Sequence, residues 1–192
     1  KQHKWIGLQW PANTQLDASL VSTVNAAKGS FSVLSSLVNK GVLPLHVAVQ
    51  LFEAKVASVL SLGIWLLVLA GNAEELLNLT WDMWARSLLG LEQWKNASLA
   101  ASELGWKLKG YHWAILAMAM RRCKLWCLPA TDLYRTHFLQ AHTVASSWAS
   151  RSLALLSSLG LQDWNSWAVA GTSWDHYKKY IRENLEQISF SD

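Results

Sequence analysis

Residues 81–108 read WDMWARSLLGLEQWKNASLAASELGWKL, and this stretch decides the fold class. It reads as the end of one helix, a glycine stop at Gly90, a short connection, a second helix opened by Asn96 or Ser98, and another glycine stop at Gly105. Four of the thirteen tryptophans of the chain lie inside it, with no catalytic triad, metal cage or phosphate loop beside them. Helix and stop alternating around large apolar rings point to a packed helical module that belongs to something larger.

The same punctuation extends in both directions. Upstream, Asp17 stands where an N-cap is expected, and Leu20, Val24, Ala27, Phe31, Leu34 and Val38 follow at spacings of four, three, four, three and four. That is an amphipathic helix, with Gly41 after it. Pro44 suits the first turn of a second helix, expected to run through the apolar stretch to Gly71. Asn72 with Glu75 three residues on resembles a capping box opening the helix that Gly90 ends. Downstream, a helix is expected from about Gly110 to Cys127, stopped by Pro129. Thr131 with Asp132 starts another, and Ser147 precedes one that Gly160 stops. A short turn around Trp164 and Trp167 leads to a last helix with Ser173 as its N-cap. The segment Lys4–Trp10, ended by Pro11, reads as extended. The expectation is therefore an all-α, irregular bundle of about eight helices with a short extended N-terminal segment. Its domains are drawn as 1–128, a first helical region, and 129–192, a helical extension packed on it or continuous with it. No fixed-period repeat emerges.

Composition agrees with a packed chain. At 192 residues, 52% hydrophobic and 16% charged, it can bury a core and is not intrinsically disordered. A formal charge of +4 permits a polyanionic partner without requiring one. Cys123 and Cys127 lie four apart on an expected helix, too tightly placed for a disulfide, and read as reduced core thiols. Asn78-Leu79-Thr80 and Asn96-Ala97-Ser98 match the glycosylation sequon, a pattern of low specificity. The chain opens KQHKW, with neither an initiator Met nor a signal-peptide core, and reads as a fragment or processed product in an intracellular setting. Val56–Ala73 carries no charge and just reaches bilayer length. Gly63, Gly71 and Asn72 dilute it and charges of both signs flank it, so a buried central helix is favoured over a membrane span.

Candidate chemistry is sparse. Cys123, Cys127, His137 and His142 give C-x3-C-x9-H-x4-H, but the gap between the pairs is short for a zinc finger and Pro129 intervenes, so core thiols with unrelated histidines are favoured. Glu53-Ala54-Lys55 matches half of a nuclease motif, yet it sits inside an expected helix, where flanking charges are the simpler reading. No G-x-S-x-G elbow, phosphate loop or pair of adjacent aspartates occurs. No catalytic residue, metal or cofactor is therefore expected. The cations say more. Lys107 and Lys109 follow the Gly105 stop, Arg121, Arg122 and Lys124 line the next helix, and Arg151, Lys178, Lys179 and Arg182 come later. With Trp106, Trp113 and Trp126 interleaved, they read either as a phosphate-tracking surface with stacking platforms or as a solvated face beside core tryptophans.

Taken in order, several segments resemble the region that follows the catalytic core of non-LTR (LINE-like) retrotransposon reverse transcriptases. KWIGLQW (4–10) is similar to the short strand opening that region. LPLHVAVQLFEAKVASVLSLGIW (43–65) resembles its V-x-P-x-L-x-Y-G helix. WARSLLGL (84–91) resembles the R-x-(L/I)-L-G-L helix end, LAASELGWKL (99–108) the E-L-G segment after it, and RRCKLWCL (121–128) the helix beyond. The likeness covers about Lys4–Leu128. It departs from the family where LDASLVSTV keeps Asp17 and Leu20 but lacks a Trp and a His, where Ser58 replaces Pro and where Leu62 replaces Tyr, as in a divergent copy. The resemblance implies the helical thumb of an RNA-directed DNA polymerase whose catalytic aspartates lie elsewhere. It implies partners in the rest of that polymerase and in an RNA or RNA–DNA duplex, gripped through Lys107, Lys109, Arg121, Arg122 and Lys124. The alternative is a Trp-rich structural or interaction subunit of a larger assembly, possible also at a membrane, with an apolar patch over Trp65, Trp81 and Trp84.

Overall fold

The computed structural model describes residues 16–168 and 172–189, together with the backbone of 2–5 and 8–11. The chain is an all-α, irregular bundle preceded by one short hairpin. In that hairpin β1 (Gln2–Trp5) and β2 (Leu8–Pro11) pair antiparallel, Gln2 opposite Pro11 and Trp5 opposite Leu8. Ile6 and Gly7, in the middle of the expected extended segment, lie outside the described residues. The chain divides into two compact units, Lys1–Tyr111 and His112–Asp192.

In the first unit α1 (Leu16–Asn39) buries the row read from its spacing: Leu20, Val24, Ala27, Phe31 and Leu34. Asp17 does not cap this helix. It stands in the first turn and its Oδ1 accepts the backbone N–H of Asn72 at 3.1 Å, tying the start of α1 to the start of α5 (Ala73–Leu88). The expected capping box at Asn72 is correspondingly absent, since its side chain makes no cap hydrogen bond.

The apolar stretch after Pro44 departs most from expectation. It starts as α2 (Leu45–Leu51), widens into a π-helical segment (Phe52–Ala57) and closes as α3 (Ser58–Ser61). The wider turn sets Phe52, Val56 and Ala57 on one buried side and leaves Glu53 and Lys55 exposed. The chain then breaks at Leu62–Gly63, where Gly63 takes a φ of 91° before the single turn α4 (Ile64–Leu67). A residue without Cβ enters that region at little cost. The continuous helix to Gly71 is thus replaced by pieces that wrap the core. Among the described residues no helix is long and apolar enough to cross a membrane.

Phe52 sits at the centre of an aromatic cluster. Its ring lies 4.5 Å from Trp106, 5.5 Å from Trp81 and 5.5 Å from Trp84, while Phe31 stacks on Trp84 at 5.2 Å. Burying each such ring contributes about 1.5–3 kcal/mol, before the further gain from edge-to-face geometry. The opening stretch supplies three of these rings, and its glycine stops place them. After α5 the Leu91 N–H bonds Arg86 O at 2.9 Å and the Gly90 N–H bonds Ser87 O at 3.2 Å. After α6 (Ala97–Glu103) the Trp106 N–H bonds Ala101 O at 2.9 Å and the Gly105 N–H bonds Ser102 O at 2.9 Å. Both are Schellman closures with the glycine at positive φ. Asn96 opens α6 by accepting the Leu99 N–H at 3.1 Å. The other sequon asparagine, Asn78, accepts the Tyr111 N–H at 3.0 Å, so both asparagines serve helix starts.

In the second unit α7 (Gly110–Trp126), whose first turn holds the boundary, packs Ile115, Met118, Ala119 and Cys123 inward. It is followed by α8 (Leu133–Ala141), α9 (Trp148–Ser158), α10 (Trp164–Trp167) and α11 (Trp174–Ser189). Asp132, one residue later than expected, caps α8 through the Tyr134 N–H, and Ser147 caps α9 through the Ser150 N–H. On α11 Tyr177, Ile181 and Leu185 form the buried row. Cys123 is buried and its thiol is pushed well above the usual range, first by desolvation, whereas Cys127 is exposed and not a core residue.

Candidate functional site

The adjacent arginines of α7 have opposite fates. Arg121 is exposed, whereas Arg122, one helical step round, has 0% of its surface exposed. The expectation that Arg122 touches phosphate is corrected by this burial: it is the anchor of a polar network inside the second unit. Its Nε donates to Asp163 Oδ1 at 2.9 Å and its Nη2 to Asp163 Oδ2 at 2.7 Å, a bidentate ion pair. Its Nη1 donates to Ala149 O and Ser152 Oγ, each at 2.6 Å, and its Nη2 also faces His142 Nε2 at 3.5 Å. Four of the five guanidinium N–H groups thereby donate to defined oxygen acceptors, and the fifth faces the His142 ring. The Phe138 ring, 5.2 Å from the guanidinium carbon, closes one side. Nothing on Arg122 is left for a ligand.

Asp163 gains a third donor in the Trp126 indole N–H at 2.9 Å. Desolvation pushes its carboxyl up, but the Arg122 hydrogen bonds and charge outweigh this and hold it below the usual carboxylate range. His142 moves down from its ordinary 6.5, first through burial and then through the Arg122 charge, with Asp163 opposing. The network joins α7, the end of α8, α9 and the start of α10, so its role is to hold short helices in register.

The other expected cations reach solvent. Lys107 is exposed and Lys109 half-exposed in the first unit, where Lys109 stands in the field of Asp82. Arg121 and Lys124 are exposed on α7, a helix without a single acidic residue. Two of the three expected stacking tryptophans are taken up inside their units, Trp106 buried in the aromatic core and Trp126 half-buried with its N–H on Asp163, and Trp113 is half-buried. A further ring that meets a cation of the expected set is Trp174, not among the expected platforms, with Lys124 Nζ 5.6 Å from its centroid; Lys95 lies closer still over Trp94, at 3.7 Å. Trp174, Lys178 and Arg182 stand at i, i+4 and i+8 on α11, both cations exposed, before Glu186 closes the row. That spacing was the available signal; the proximity to Lys124 was not. On the neighbouring face the exposed Lys179 stands 3.8 Å from Glu183, one turn on.

Trp81 and Trp84, expected under an apolar surface patch, are 5% and 0% exposed and form core instead. Cys127 and His137 are exposed while Cys123 is buried, and among the described residues no three His, Cys, Asp or Glu side chains converge on a metal position. No protein-family model, curated protein or solved structure matches the chain.

Proposed function

We propose that this chain is a non-catalytic helical segment of a retroelement reverse transcriptase that contacts the backbone of an RNA or RNA–DNA duplex. The observation that carries the reading is the cationic row of the second unit, with Lys124 over Trp174 and Lys178 and Arg182 following along α11. Lys178 and Arg182, one helical turn apart on α11, match a charged backbone, and Lys124 from α7 stands beside them over the half-buried Trp174 ring. Arg121 on the acid-free α7 adds to the same unit, and Lys107 and Lys109 supply backbone contacts from the first; Arg122 has no part in it. The order of the 43–65, 84–91 and 99–108 segments supports the polymerase-thumb assignment, with the rest of such a polymerase as partner.

Binding of a labelled RNA–DNA hybrid, followed by fluorescence anisotropy across a salt series, tests this. Replacing Lys124, Lys178 and Arg182 together by Ala should flatten the slope of log K against log salt by about 2–3, near one for each phosphate no longer neutralised. A folded chain that fails to bind the hybrid at low salt, or a triple variant with an unchanged slope, would overturn the proposal.

A further inference from the structure

The two Asn-x-Ser/Thr tripeptides of the first unit have no part in duplex binding, and the fold treats them in opposite ways. At Asn78-Leu79-Thr80 the polar side chains are committed. Asn78 is half-buried and its Oδ1 accepts the Tyr111 N–H at 3.0 Å, while Thr80 is 3% exposed. The first turn of α7 closes over this part of α5, since a Cβ added to Gly110 would stand 2.5 Å from Leu77 O. A sugar on Asn78 has no room unless that turn lifts away.

Asn96-Ala97-Ser98 lies open. Asn96 and Ser98 are both exposed, where a turn closed by the Lys95 N–H on Glu92 O at 3.0 Å passes into α6. The Asn96 amide is half used. Its Oδ1 caps α6 through the Leu99 N–H at 3.1 Å, and among the described residues its Nδ2 has no hydrogen-bond partner. Glycosylation replaces one Nδ2 hydrogen and leaves the carbonyl oxygen in place, so a glycan and the helix cap fit on the same side chain. Two residues earlier stands Trp94, 72% exposed, whereas the other tryptophans with described side chains are buried or half-buried. Lys95 Nζ lies 3.7 Å over this ring, which remains largely in water even so. The C–H face of a pyranose packs well on the negative face of an indole. An exposed acceptor amide and an exposed indole thus meet within one turn.

We infer that Asn96, and not Asn78, is an N-glycan acceptor whose first N-acetylglucosamine packs on Trp94. In the transfer, Asn96 Nδ2 bonds to C1 of the first sugar of an oligosaccharide carried on a lipid diphosphate. The bond from C1 to the diphosphate oxygen breaks, the lipid diphosphate leaves with the electron pair, and one Nδ2 proton passes to a base of the transferase. The modification belongs to the secretory lumen, where such a transferase meets its substrates, and it does not rest on the duplex reading.

Expression of the whole chain behind a cleavable secretory leader in cultured mammalian cells tests this. The protease-resistant protein from cells and medium is mapped by mass spectrometry before and after enzymatic removal of N-glycans. One glycan is expected, on Asn96. Ser98→Ala, an exposed change that keeps the Asn96 cap, should abolish it. The glycosylated chain should melt about 2–4 °C above the Ser98→Ala chain, and Trp94→Ala should remove that difference while the glycan stays attached. A resistant chain with a bare Asn96, or one with a glycan on Asn78, would overturn the inference. So would a melting difference that survives Trp94→Ala. Ser98→Ala made without a leader should bind the RNA–DNA hybrid as the parent chain does, so glycan attachment and hybrid binding fail separately.

Discussion

At the scale of the residue, Arg122 shows how far one helical step changes a side chain's fate. Its charge is taken fully out of water and returned to balance by Asp163 in a bidentate pair. Such a pair adds little net stability over an apolar equivalent, but removing one partner strands the other. Asp163→Asn should therefore destabilise the second unit by about 3–5 kcal/mol in urea unfolding, whereas Lys178→Ala, exposed on α11, should stay within about 0.5 kcal/mol. The pH response has two parts. Asp163 titrates below its ordinary 3.8 when folded, so its contribution is complete above that value and is lost as pH falls through the folded pKa. His142 titrates below 6.5 when folded, so the unfolded chain takes its proton first and stability declines as pH drops under that value. Thermal melts should show a shallow loss beginning near pH 6.5 that His142→Gln removes, and a steep loss below about pH 4 that Asp163→Asn lacks. A melting temperature that stays flat from pH 7 to pH 3 would contradict both assignments.

At the scale of the element, glycines do two different jobs. Gly110, at the start of α7, lies so close to α5 that a Cβ there would stand 2.5 Å from Leu77 O and 3.0 Å from the Trp81 ring. Gly29, inside α1, faces open space, with nothing within 4 Å of the same added atom. Gly110→Ala should cost about 1–3 kcal/mol through overpacking, while Gly29→Ala should gain about 0.5–1 kcal/mol through helix propensity. Chemical denaturation of the two variants checks the opposite signs. Neither glycine is marked by its neighbours in sequence as tight or free, because the distinction lies in what another helix brings near. The stops at Gly90 and Gly105 are different. A local 6→1 closure needs only the chain's own last turn, so those ends could be read in advance. The break at Leu62–Gly63 could not, since Val56–Ala73 reads as one apolar run until Phe52, Val56 and Leu60 are seen packed around a shared core.

At the scale of the whole molecule, each of the two units has a core of its own. One is built on the rings around Phe52, the other on the row Tyr177, Ile181 and Leu185 with the Arg122 network. Asp163→Asn should then speed amide exchange in α9 and α11 while α1 and α5 keep their protection, as measured by hydrogen exchange with mass spectrometry. Equal loss of protection along the chain would mean that the two cores unfold as one. The cationic row of α11 belongs to the second unit, and the buried, unpartnered N–H groups of Trp84 and Arg86 to the first.

The residue pattern by itself determined the all-α class, the buried row of α1, the Ser147 start of α9, and the glycine closures of the Trp81–Leu108 stretch, while it left Asn96 and Ser98 both open as the start of α6. These rest on periodicity and on hydrogen bonds between residues a turn apart, which are local and legible. Which of Arg121 and Arg122 meets solvent, which tryptophans are core, and which cation finds an aromatic ring were decided only by tertiary structure. Those outcomes depend on partners such as Asp163, far along the chain from Arg122. A charge at the end of a long, flexible side chain carries no local mark of whether it will meet water, phosphate or a carboxylate, and only the packing of other helices against it decides.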